Sequence, residues 1–235
     1  MKLLITGGSR GIGKAIALES AKAGHDLLLV SRNPENLNKT HKEIQLISKS
    51  NIQQFVCDVG KQNELKRLYK YCDDSSFLPD VLVLSAGIFF EDTTLIDSTD
   101  EQFEETMNVN FMSIHHIVKL YNNHLKKVKS SKIIIIGSTA AYETYPLGAI
   151  YGVAKWALRG YAINLRKELM KDYIGVTFIS PGGTLTDLWE GEPLPENRLL
   201  DPSDIGKLVV SMLSLSNQAV VEELIVRPML GDIHE

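Results

Sequence analysis

Tyr151 and Lys155 form the pair of side chains in this sequence best suited to moving a proton. Residues four apart on a helix lie on the same face, so the phenol and the ammonium would be neighbours. A phenol ordinarily has a pKa near ~10, and a nearby positive charge lowers that pKa by favouring the phenolate. The pair therefore indicates an acid–base group that works near neutral pH. A surface tyrosine beside a solvated lysine is the alternative that the spacing alone leaves open.

Two further polar residues precede this pair. Ser138 follows the apolar run Ile133–Ile136, and its hydroxyl is suited to hydrogen-bond an oxygen on which negative charge develops. Asn110 lies inside the helical stretch before that run, where asparagine is locally unfavourable, as is typical of a functional exception. Asn108, two residues earlier, is the alternative candidate for this functional asparagine.

A glycine-rich turn, Thr6–Gly13, directly follows the first apolar run and opens a helix. Gly7, Gly11 and Gly13 let the backbone approach a pyrophosphate closely, and the first N–H groups of a helix favour an anion. Tight turns also need glycine for backbone reasons alone, so it is the position between strand and helix that favours dinucleotide binding. The other candidates in the turn are Ser9, Arg10 and Ile12.

The end of the second apolar run bears on which dinucleotide is bound. A carboxylate there would accept hydrogen bonds from the ribose hydroxyls and repel a 2′-phosphate. The sequence instead reads Val30-Ser31-Arg32-Asn33, with no acid. Arg32 and Arg10 are placed to converge on a 2′-phosphate, which favours NADP(H) over NAD(H). Either arginine alone would be interpreted as a solvated surface side chain.

The elements that must position these residues alternate regularly along the chain. Short apolar runs, each interpreted as a strand covered on both faces, are separated by longer amphipathic helical patterns. This alternation predicts an α/β fold, a single doubly wound domain over residues 1–235 with a mainly parallel seven-stranded sheet. The strands are expected at Leu3–Ile5, Leu27–Val30, Gln54–Val56, Val81–Leu84, Ile133–Ile136, Val176–Ile179 and Leu224–Val226. The helices are expected at Gly13–Ala23, Glu35–Ser48, Asn63–Tyr71, Phe103–Lys127, Ala154–Lys171 and Pro202–Leu213.

Composition narrows the class of protein. A chain of 235 residues that is 44% hydrophobic can bury a core without metal or disulfide support, and a net charge of −4 argues against nucleic acid or an anionic membrane as partner. Cys57 and Cys72 form neither a pair nor a ligand set with the histidines, so no metal site is expected. With no leader-like or membrane-spanning run, we expect a cytoplasmic protein.

These motifs, in this order, resemble the short-chain dehydrogenase/reductase family from end to end. The turn matches its T-G-x-x-x-G-x-G and the pair its Y-x-x-x-K. The resemblance implies a Rossmann fold and an oxidoreductase that moves a hydride between NADP(H) and a carbonyl/alcohol pair. It gives Tyr151 the acid–base role, Lys155 a contact with the nicotinamide ribose and Ser138 the substrate oxygen. It also implies that Asn110 orders a water near the lysine.

The resemblance extends to the rest of the cofactor site. Asp58, followed by Val59, matches the family's adenine-contacting aspartate, and Ser85-Ala86-Gly87 stands where the family usually has Asn-Ala-Gly. We expect that serine to affect stability modestly without loss of chemistry. The segment Pro181–Thr186 resembles the P-G-x-x-x-T that holds the nicotinamide carboxamide, which implies cofactor contacts from Pro181, Gly182, Thr184 and Thr186.

The substrate end is the least determined part of the sequence. Tyr142, Tyr145 and Trp189 are a plausible aromatic wall, although packing of a loop onto the body is an equal alternative. A short substrate loop at about 184–200 carries Glu190, Glu192 and Glu196, which argues against a highly anionic substrate.

The ending Val221–Ile233 lacks the V-N-G-G frequent in 3-oxoacyl-carrier-protein reductases and, with Thr186–Trp189, looks more like bacterial reductases that resemble sepiapterin reductase. The substrate alternatives are a pterin or diketone and a 3-oxoacyl thioester. A catalytically silent NADP(H)-binding scaffold or sensor is the other functional alternative. The family also implies a homodimer or homotetramer formed through the two long helices.

Overall fold

A computed structural model of the chain describes residues 1–91, 94–145, 148–189, 193–195 and 197–232. Within these ranges seven strands form one parallel sheet in the order β3-β2-β1-β4-β5-β6-β7. The strands are β1 (Lys2–Thr6), β2 (Asp26–Ser31), β3 (Ile52–Val56), β4 (Val81–Leu84), β5 (Lys132–Ile136), β6 (Gly175–Pro181) and β7 (Glu223–Val226). The strand order reverses between β1 and β4, and at such a point the connections diverge and leave a crevice at the carboxyl edge of the sheet.

Helices cover both faces of the sheet. They are α1 (Gly11–Lys22), α2 (Pro34–Ile47), α3 (Gln62–Asp74), α4 (Asp100–Met107), α5 (Ser113–Leu125), α6 (Ala149–Leu169) and α7 (Pro202–Leu213). Local sequence explains where several of them begin. Asn33 caps α2 by accepting a hydrogen bond from the Asn36 N–H at 2.9 Å, and Pro34 takes the first helical position, where no N–H is needed.

The core lies in two layers, one on each face of the sheet. Because successive strand residues point to opposite faces, Leu3 and Ile5 of β1 pack with α1 and α7, whereas Leu4 packs in the layer that includes α3, α5 and α6. The predicted α/β fold class, the seven strands and their parallel pairing are confirmed.

Two expectations about individual elements were wrong. β3 and β7 are the edges of the sheet and are not covered on both faces. The side chains of β3 are half-buried or exposed, and those of β7 alternate between exposed and half-buried. The predicted single helix Phe103–Lys127 is divided by a π-helical turn, Asn108–Met112, between α4 and α5. Its apolar residues follow a helical period in both parts, so the pattern did not reveal the extra residue in the turn.

No helix among the described residues is both long and apolar enough to span a membrane. The same residues contain no group of three or more His, Cys, Asp or Glu side chains arranged to hold a metal ion.

Candidate active site

The glycine turn joins β1 to α1 at the strand-order reversal. Gly7 has φ +69°, and a Cβ there would lie 3.0 Å from both Cα and N of Ala86 at the end of β4. A Cβ on Gly13 would lie 2.3 Å from the Gly7 carbonyl oxygen. The turn is thus compact because glycine occupies both positions. Arg10 caps α1 without a side-chain hydrogen bond, so the first N–H groups of the helix face the crevice without a capping side chain.

Ser9 and Ile12 anchor this turn to the neighbouring elements. The Ser9 hydroxyl lies 2.7 Å from that of Ser31, which ends β2, and the Ser9 carbonyl accepts a hydrogen bond from Thr40 of α2 at 3.0 Å. Ile12 is half-buried against the layer that contains α1 and α7. The ends of β1 and β2 are therefore fixed side by side.

Arg10 and Arg32 both keep exposed side chains at this edge. Arg10 lies 3.6 Å from Asp187, which follows β6, and Arg32 lies 3.8 Å from Glu105 of α4. Surface ion pairs of this kind contribute little to stability, so both guanidinium groups can exchange a carboxylate for another anion.

Asp58 and Val59 follow β3. The Asp58 carboxylate accepts a hydrogen bond from the Gly60 N–H at 3.0 Å and lies 3.5 Å from the Lys61 ammonium, whereas the Val59 side chain is buried in the core. This aspartate therefore shapes its own turn as well as facing the carboxyl edge.

The end of β4 is held by a threonine of β1. The Thr6 hydroxyl oxygen accepts hydrogen bonds from the N–H groups of Ser85 and Ala86, at 3.1 and 3.2 Å. A Cβ on Gly87 would lie 3.1 Å from Oδ1 of Asn110, so the chain passes closely over that amide. Backbone contacts to Thr6 thus support this turn, whichever side chain stands at 85.

Asn110 lies within the π-helical turn and is fully buried. Its Oδ1 accepts a hydrogen bond from the Ile88 N–H at 2.8 Å, and its Nδ2 donates one to the Ile88 carbonyl at 2.9 Å. Asn108, the rival candidate, is exposed. Burial and bonding to the β4 loop favour Asn110 as the residue of this pair that belongs to the site.

Tyr151 and Lys155 occupy the first turns of α6, facing the end of β5. The Lys155 ammonium is buried, donates a hydrogen bond to the Ile136 carbonyl at 3.3 Å, and lies 5.1 Å from the centre of the Tyr151 ring. Ser138, just beyond β5, makes a side-chain hydrogen bond with Tyr151 and also accepts one from the Ala140 N–H at 3.1 Å. The structure therefore brings together Ser138, Tyr151 and Lys155.

In the protein alone, the pKa of Tyr151 moves opposite to the direction that the lysine favours. Burial raises the pKa of Tyr151 to about 12, and the hydrogen bond with Ser138 acts in the opposite direction. Burial also lowers the pKa of Lys155 to about 8. The physical reason is desolvation, which disfavours the charged form of both groups where their attraction alone was considered from the sequence.

Phe89 is a neighbour of Tyr151 that the sequence did not single out. The two rings meet edge to face, with centroids 5.5 Å apart. Gly148, which precedes α6 with φ +108°, has no side chain, and a Cβ there would lie 2.4 Å from the Phe89 ring. Phe89 thus orients the phenol and excludes water from one side of it. Its position shortly after the Ala86-Gly87 turn was the available signal.

The segment after β6 closes the crevice from the opposite side. Pro181 ends the strand, the Thr184 hydroxyl donates to the Gly182 carbonyl at 2.9 Å, and Thr184 pairs with Leu200 in an isolated bridge. A Cβ on Gly11 would lie 3.1 Å from the methyl group of Thr186. This segment therefore reaches across to the glycine turn.

The aromatic residues proposed for the substrate wall divide among different surroundings. Tyr142 donates a hydrogen bond to Glu223 at 3.3 Å and lies beneath the Arg159 guanidinium, which supports the loop-packing alternative for this residue. Tyr145 donates to the Asp232 carboxylate at 3.0 Å, which supports the loop-packing alternative for its hydroxyl. Trp189 is half-buried, and its backbone N–H donates to the Thr186 carbonyl at 2.9 Å. Glu190, Glu192 and Glu196 lie outside the described residues.

Comparison with known proteins places this arrangement among enzymes. The family model described as short chain dehydrogenase matches residues 2–196. Sepiapterin reductase of Chlorobaculum tepidum is 30% identical over 241 residues, covering 99% of this chain and 98% of that enzyme. Carbonyl reductase family member 4 of Xenopus tropicalis is 29% identical, with 89% of each chain covered.

Among solved structures, an alcohol dehydrogenase from the archaeon Thermococcus sibiricus, complexed with 5-hydroxy-NADP, is similar with a TM-score of 0.88. It is 27% identical, and the match covers 97% of this chain and 96% of that one. L-Sorbose reductase from Gluconobacter frateurii, complexed with NADPH and L-sorbose, has the same fold with a TM-score of 0.88 at 23% identity.

Proposed function

The chain belongs to the short-chain dehydrogenase/reductase family, and on that premise we propose that it is an NADP(H)-dependent oxidoreductase that reduces a ketone or aldehyde to an alcohol. The observation that carries the proposal is the convergence of Ser138, Tyr151 and Lys155 at the carboxyl edge of the sheet. A hydroxyl, a phenol and an ammonium there match the needs of a carbonyl oxygen that must gain a proton.

The cradle at the glycine turn fits a dinucleotide. Side chains at Gly7 and Gly13 would fill the space next to Ala86 and the Gly7 carbonyl, so the turn keeps its backbone accessible only with glycine. In the proposed complex, the first N–H groups of α1 hold the pyrophosphate and the Ala86-Gly87 backbone lies along the adenine ribose. Pro181, Gly182, Thr184 and Thr186 hold the nicotinamide end.

The 2′-phosphate is assigned to Arg10 and Arg32. Both side chains are exposed, and the acids that pair with them, Asp187 and Glu105, lie after β6 and on α4 rather than at the end of β2. Ser31 ends β2 with a small hydroxyl. A phosphate placed between two such cations gains charge-assisted hydrogen bonds and meets no carboxylate from β2.

The chemistry balances as a two-electron reduction. When bound, NADPH supplies a hydride to the carbonyl carbon. Tyr151 gives its hydroxyl proton to the carbonyl oxygen, and Ser138 hydrogen-bonds the same oxygen while charge develops on it. Lys155, with a pKa of about 8, is mostly protonated at neutral pH, so its positive charge stabilises the phenolate that forms. Asn110 fixes the loop after β4 by its two hydrogen bonds to the Ile88 backbone.

The substrate is assigned to the crevice end bounded by Ser138, Tyr151 and the segment Thr184–Trp189. Phe89 and Trp189 give that end apolar surface, which suits a flat or apolar carbonyl compound such as a pterin or a diketone. A 3-oxoacyl thioester is the remaining candidate. We further propose that the chain assembles as a homodimer or homotetramer, with the exposed Trp156 of α6 in the interface.

The test is NADPH oxidation across a carbonyl panel, with wild type beside Tyr151→Phe. The panel contains diketones, quinones, aromatic aldehydes, pterins and 3-oxoacyl thioesters, each repeated with NADH. Turnover with NADPH should fall by a factor of about 10²–10⁴ in the variant, because the proton donor is lost. Tyr161→Phe, a tyrosine of the same helix packed against Phe111 and His115, is the matched control and should retain activity.

Equal turnover in wild type and Tyr151→Phe would remove Tyr151 from its role. Tight NADPH binding without turnover on any compound of the panel would favour the silent scaffold or sensor.

A further inference from the structure

Asp232 is a buried carboxylate in the segment that follows the last strand. The residue is only 4% exposed. A carboxylate removed from water needs several donors or a counter-charge to offset desolvation. Asp232 has both, and its donors come from three separate parts of the chain.

The first donor belongs to the turn after β6. Oδ1 of Asp232 accepts a hydrogen bond from the Gly183 N–H at 3.1 Å. A Cβ on Gly182 would lie 2.3 Å from the same oxygen, so the absence of a side chain at 182 is what lets the carboxylate reach the turn. Asp232 therefore fixes the backbone of the segment assigned above to the nicotinamide end.

The second donor belongs to the loop that follows β5. The Tyr145 hydroxyl donates to Oδ2 of Asp232 at 3.0 Å and lies 3.1 Å from the Thr139 hydroxyl. Because the Tyr145 hydroxyl donates its proton to Asp232, the Thr139 hydroxyl is the donor in its contact with Tyr145. Thr139 directly follows Ser138, so the chain of hydrogen bonds ends next to the group assigned to the carbonyl oxygen.

Two arginines hold the Asp232 carboxylate and the backbone of residues 231–232. Arg227 forms ion pairs with Asp232 and with Glu143. The Arg198 guanidinium donates to the carbonyls of Gly231 and Asp232, both at 2.7 Å. This side chain therefore fixes the backbone that carries Asp232. Asp232 is therefore held by contacts from the loop after β5, from the segment after β6 and from Arg227.

We propose that Asp232 is a positioning residue, whose carboxylate holds the Gly182–Thr184 turn and the Ser138–Tyr145 loop at the separation that hydride transfer requires. This inference rests on the function proposed above. It assigns to the segment after β7 a role in orienting the nicotinamide end relative to the carbonyl, with no contact to the reacting atoms. The glycine turn, Gly7–Gly13, meets the segment after β6 at Thr186, beyond the Gly182–Thr184 turn that Asp232 holds.

The test uses the full chain with Asp232→Asn, a substitution of nearly equal shape that removes the negative charge. With NADPH and the best carbonyl of the panel, kcat should fall on the order of ten- to a hundredfold, because small misplacements of reacting groups cost that much. The Kd of NADPH should change less than about threefold, since the phosphate contacts stay intact. Asp204→Asn, which removes an exposed carboxylate paired with Lys207, is the matched control and should change neither value.

A second variant tests the path of the effect. Tyr145→Phe removes one donor to the carboxylate and the link to Thr139. In that background Asp232→Asn should cost a smaller factor in kcat than it costs in wild type, because the two residues act through one network. Equal factors in both backgrounds would overturn the proposed link between the two loops.

A readout independent of turnover separates the two proposals. The fluorescence of bound NADPH reports the surroundings of the nicotinamide, and its intensity or emission maximum should shift in Asp232→Asn at saturating cofactor. A wild type that binds NADPH without turnover would defeat the proposed function, while the fluorescence shift would still decide the role of Asp232. Unchanged kcat and unchanged fluorescence in an Asp232→Asn variant that melts like wild type would overturn the positioning role of Asp232. A fall in melting temperature with kcat preserved would reduce Asp232 to a structural role.

Discussion

The glycine turn at one end of the crevice and the Asp232 network at the other are constructed differently. At the glycine turn, backbone packs on backbone, with Gly13 against the Gly7 carbonyl and Gly7 against Ala86. At the other end, side chains from Tyr145, Arg227 and Arg198 meet around one carboxylate and the backbone next to it. The first end depends on the absence of side chains, and the second depends on charge and on contacts between distant parts of the sequence.

This difference predicts how each end fails. A single methyl group should destroy the first by steric overlap, whereas the second should lose alignment by degrees as its polar contacts are removed. Between them, helix α6 carries Tyr151 and Lys155, whose pKa values are shifted mainly by burial.

Gly13→Ala should weaken NADPH binding by about a hundredfold or more. The added Cβ would lie 2.3 Å from the Gly7 carbonyl oxygen, so the turn must open and its N–H groups lose their alignment. Fluorescence titration with NADPH measures the effect. Gly160→Ala on α6, where a Cβ meets nothing within 4 Å, is the control and should keep binding while stabilising the helix by about 0.5–1 kcal/mol. Normal binding in Gly13→Ala would contradict the steric account.

Lys155 should make the stability of the protein rise with pH. Its folded pKa of about 8 lies below the ordinary 10.5, so between these values the unfolded chain binds more protons and stability increases as the pH rises. The contribution across that window is on the order of 3 kcal/mol. Denaturant unfolding of wild type and Lys155→Met from pH 7 to 10 measures it as a difference. Other groups, including Tyr151 with its raised pKa, cancel in that difference, and parallel curves for the two proteins would refute the shift.

Arg10→Ala and Arg32→Ala should each weaken NADPH binding about tenfold and leave NADH binding unchanged, because each would remove one charge-assisted contact to the 2′-phosphate. Ser31→Asp should act in the opposite sense, since a carboxylate at the end of β2 repels that phosphate and accepts from ribose hydroxyls. Kd values for both cofactors provide the measurement. Equal losses for NADH would mean that the arginines support the turn and do not read the phosphate.

Ser85→Asn should give the smallest effect, a change of less than about 1 kcal/mol in the free energy of unfolding with kcat preserved. The turn at β4 is held through backbone N–H groups donating to Thr6, and these contacts do not depend on the side chain at 85. Thr6→Val is the informative partner variant, since it removes the acceptor and should destabilise the protein more. A large loss in Ser85→Asn would show that the serine itself supports the sheet centre.

The cofactor end could be predicted because its signals are local. The seven apolar runs correspond to the seven strands, and the glycine turn, Ser31 and Arg32 stand where strand ends place them. Asn110 could be nominated from its unfavourable position in a helix, although the π-helical turn that contains it could not. Hydrophobic periodicity marks which residues face the core, but it does not register one extra residue within a turn.

The other end escaped prediction because its contacts join residues far apart in sequence. Nothing near Asp232 marks it as buried, since its partners at Tyr145 and Gly183 are brought to it only by the order of the strands. The direction of the Tyr151 pKa was also beyond reach, because desolvation depends on neighbours such as Phe89. Pairwise charge reasoning from a sequence has no measure of burial.

The π-helical turn also restricts how this chain can change in length. Because each helical residue advances the helix by about 100°, deleting one residue from Asn108–Met112 would rotate everything after it relative to α4. α4 packs on α6, whereas α5 packs on α3, so a single deletion would misalign one of these two contacts. Substitutions within the turn should therefore be tolerated far more often than insertions or deletions. A library that varies length and identity separately at these five positions would expose that asymmetry.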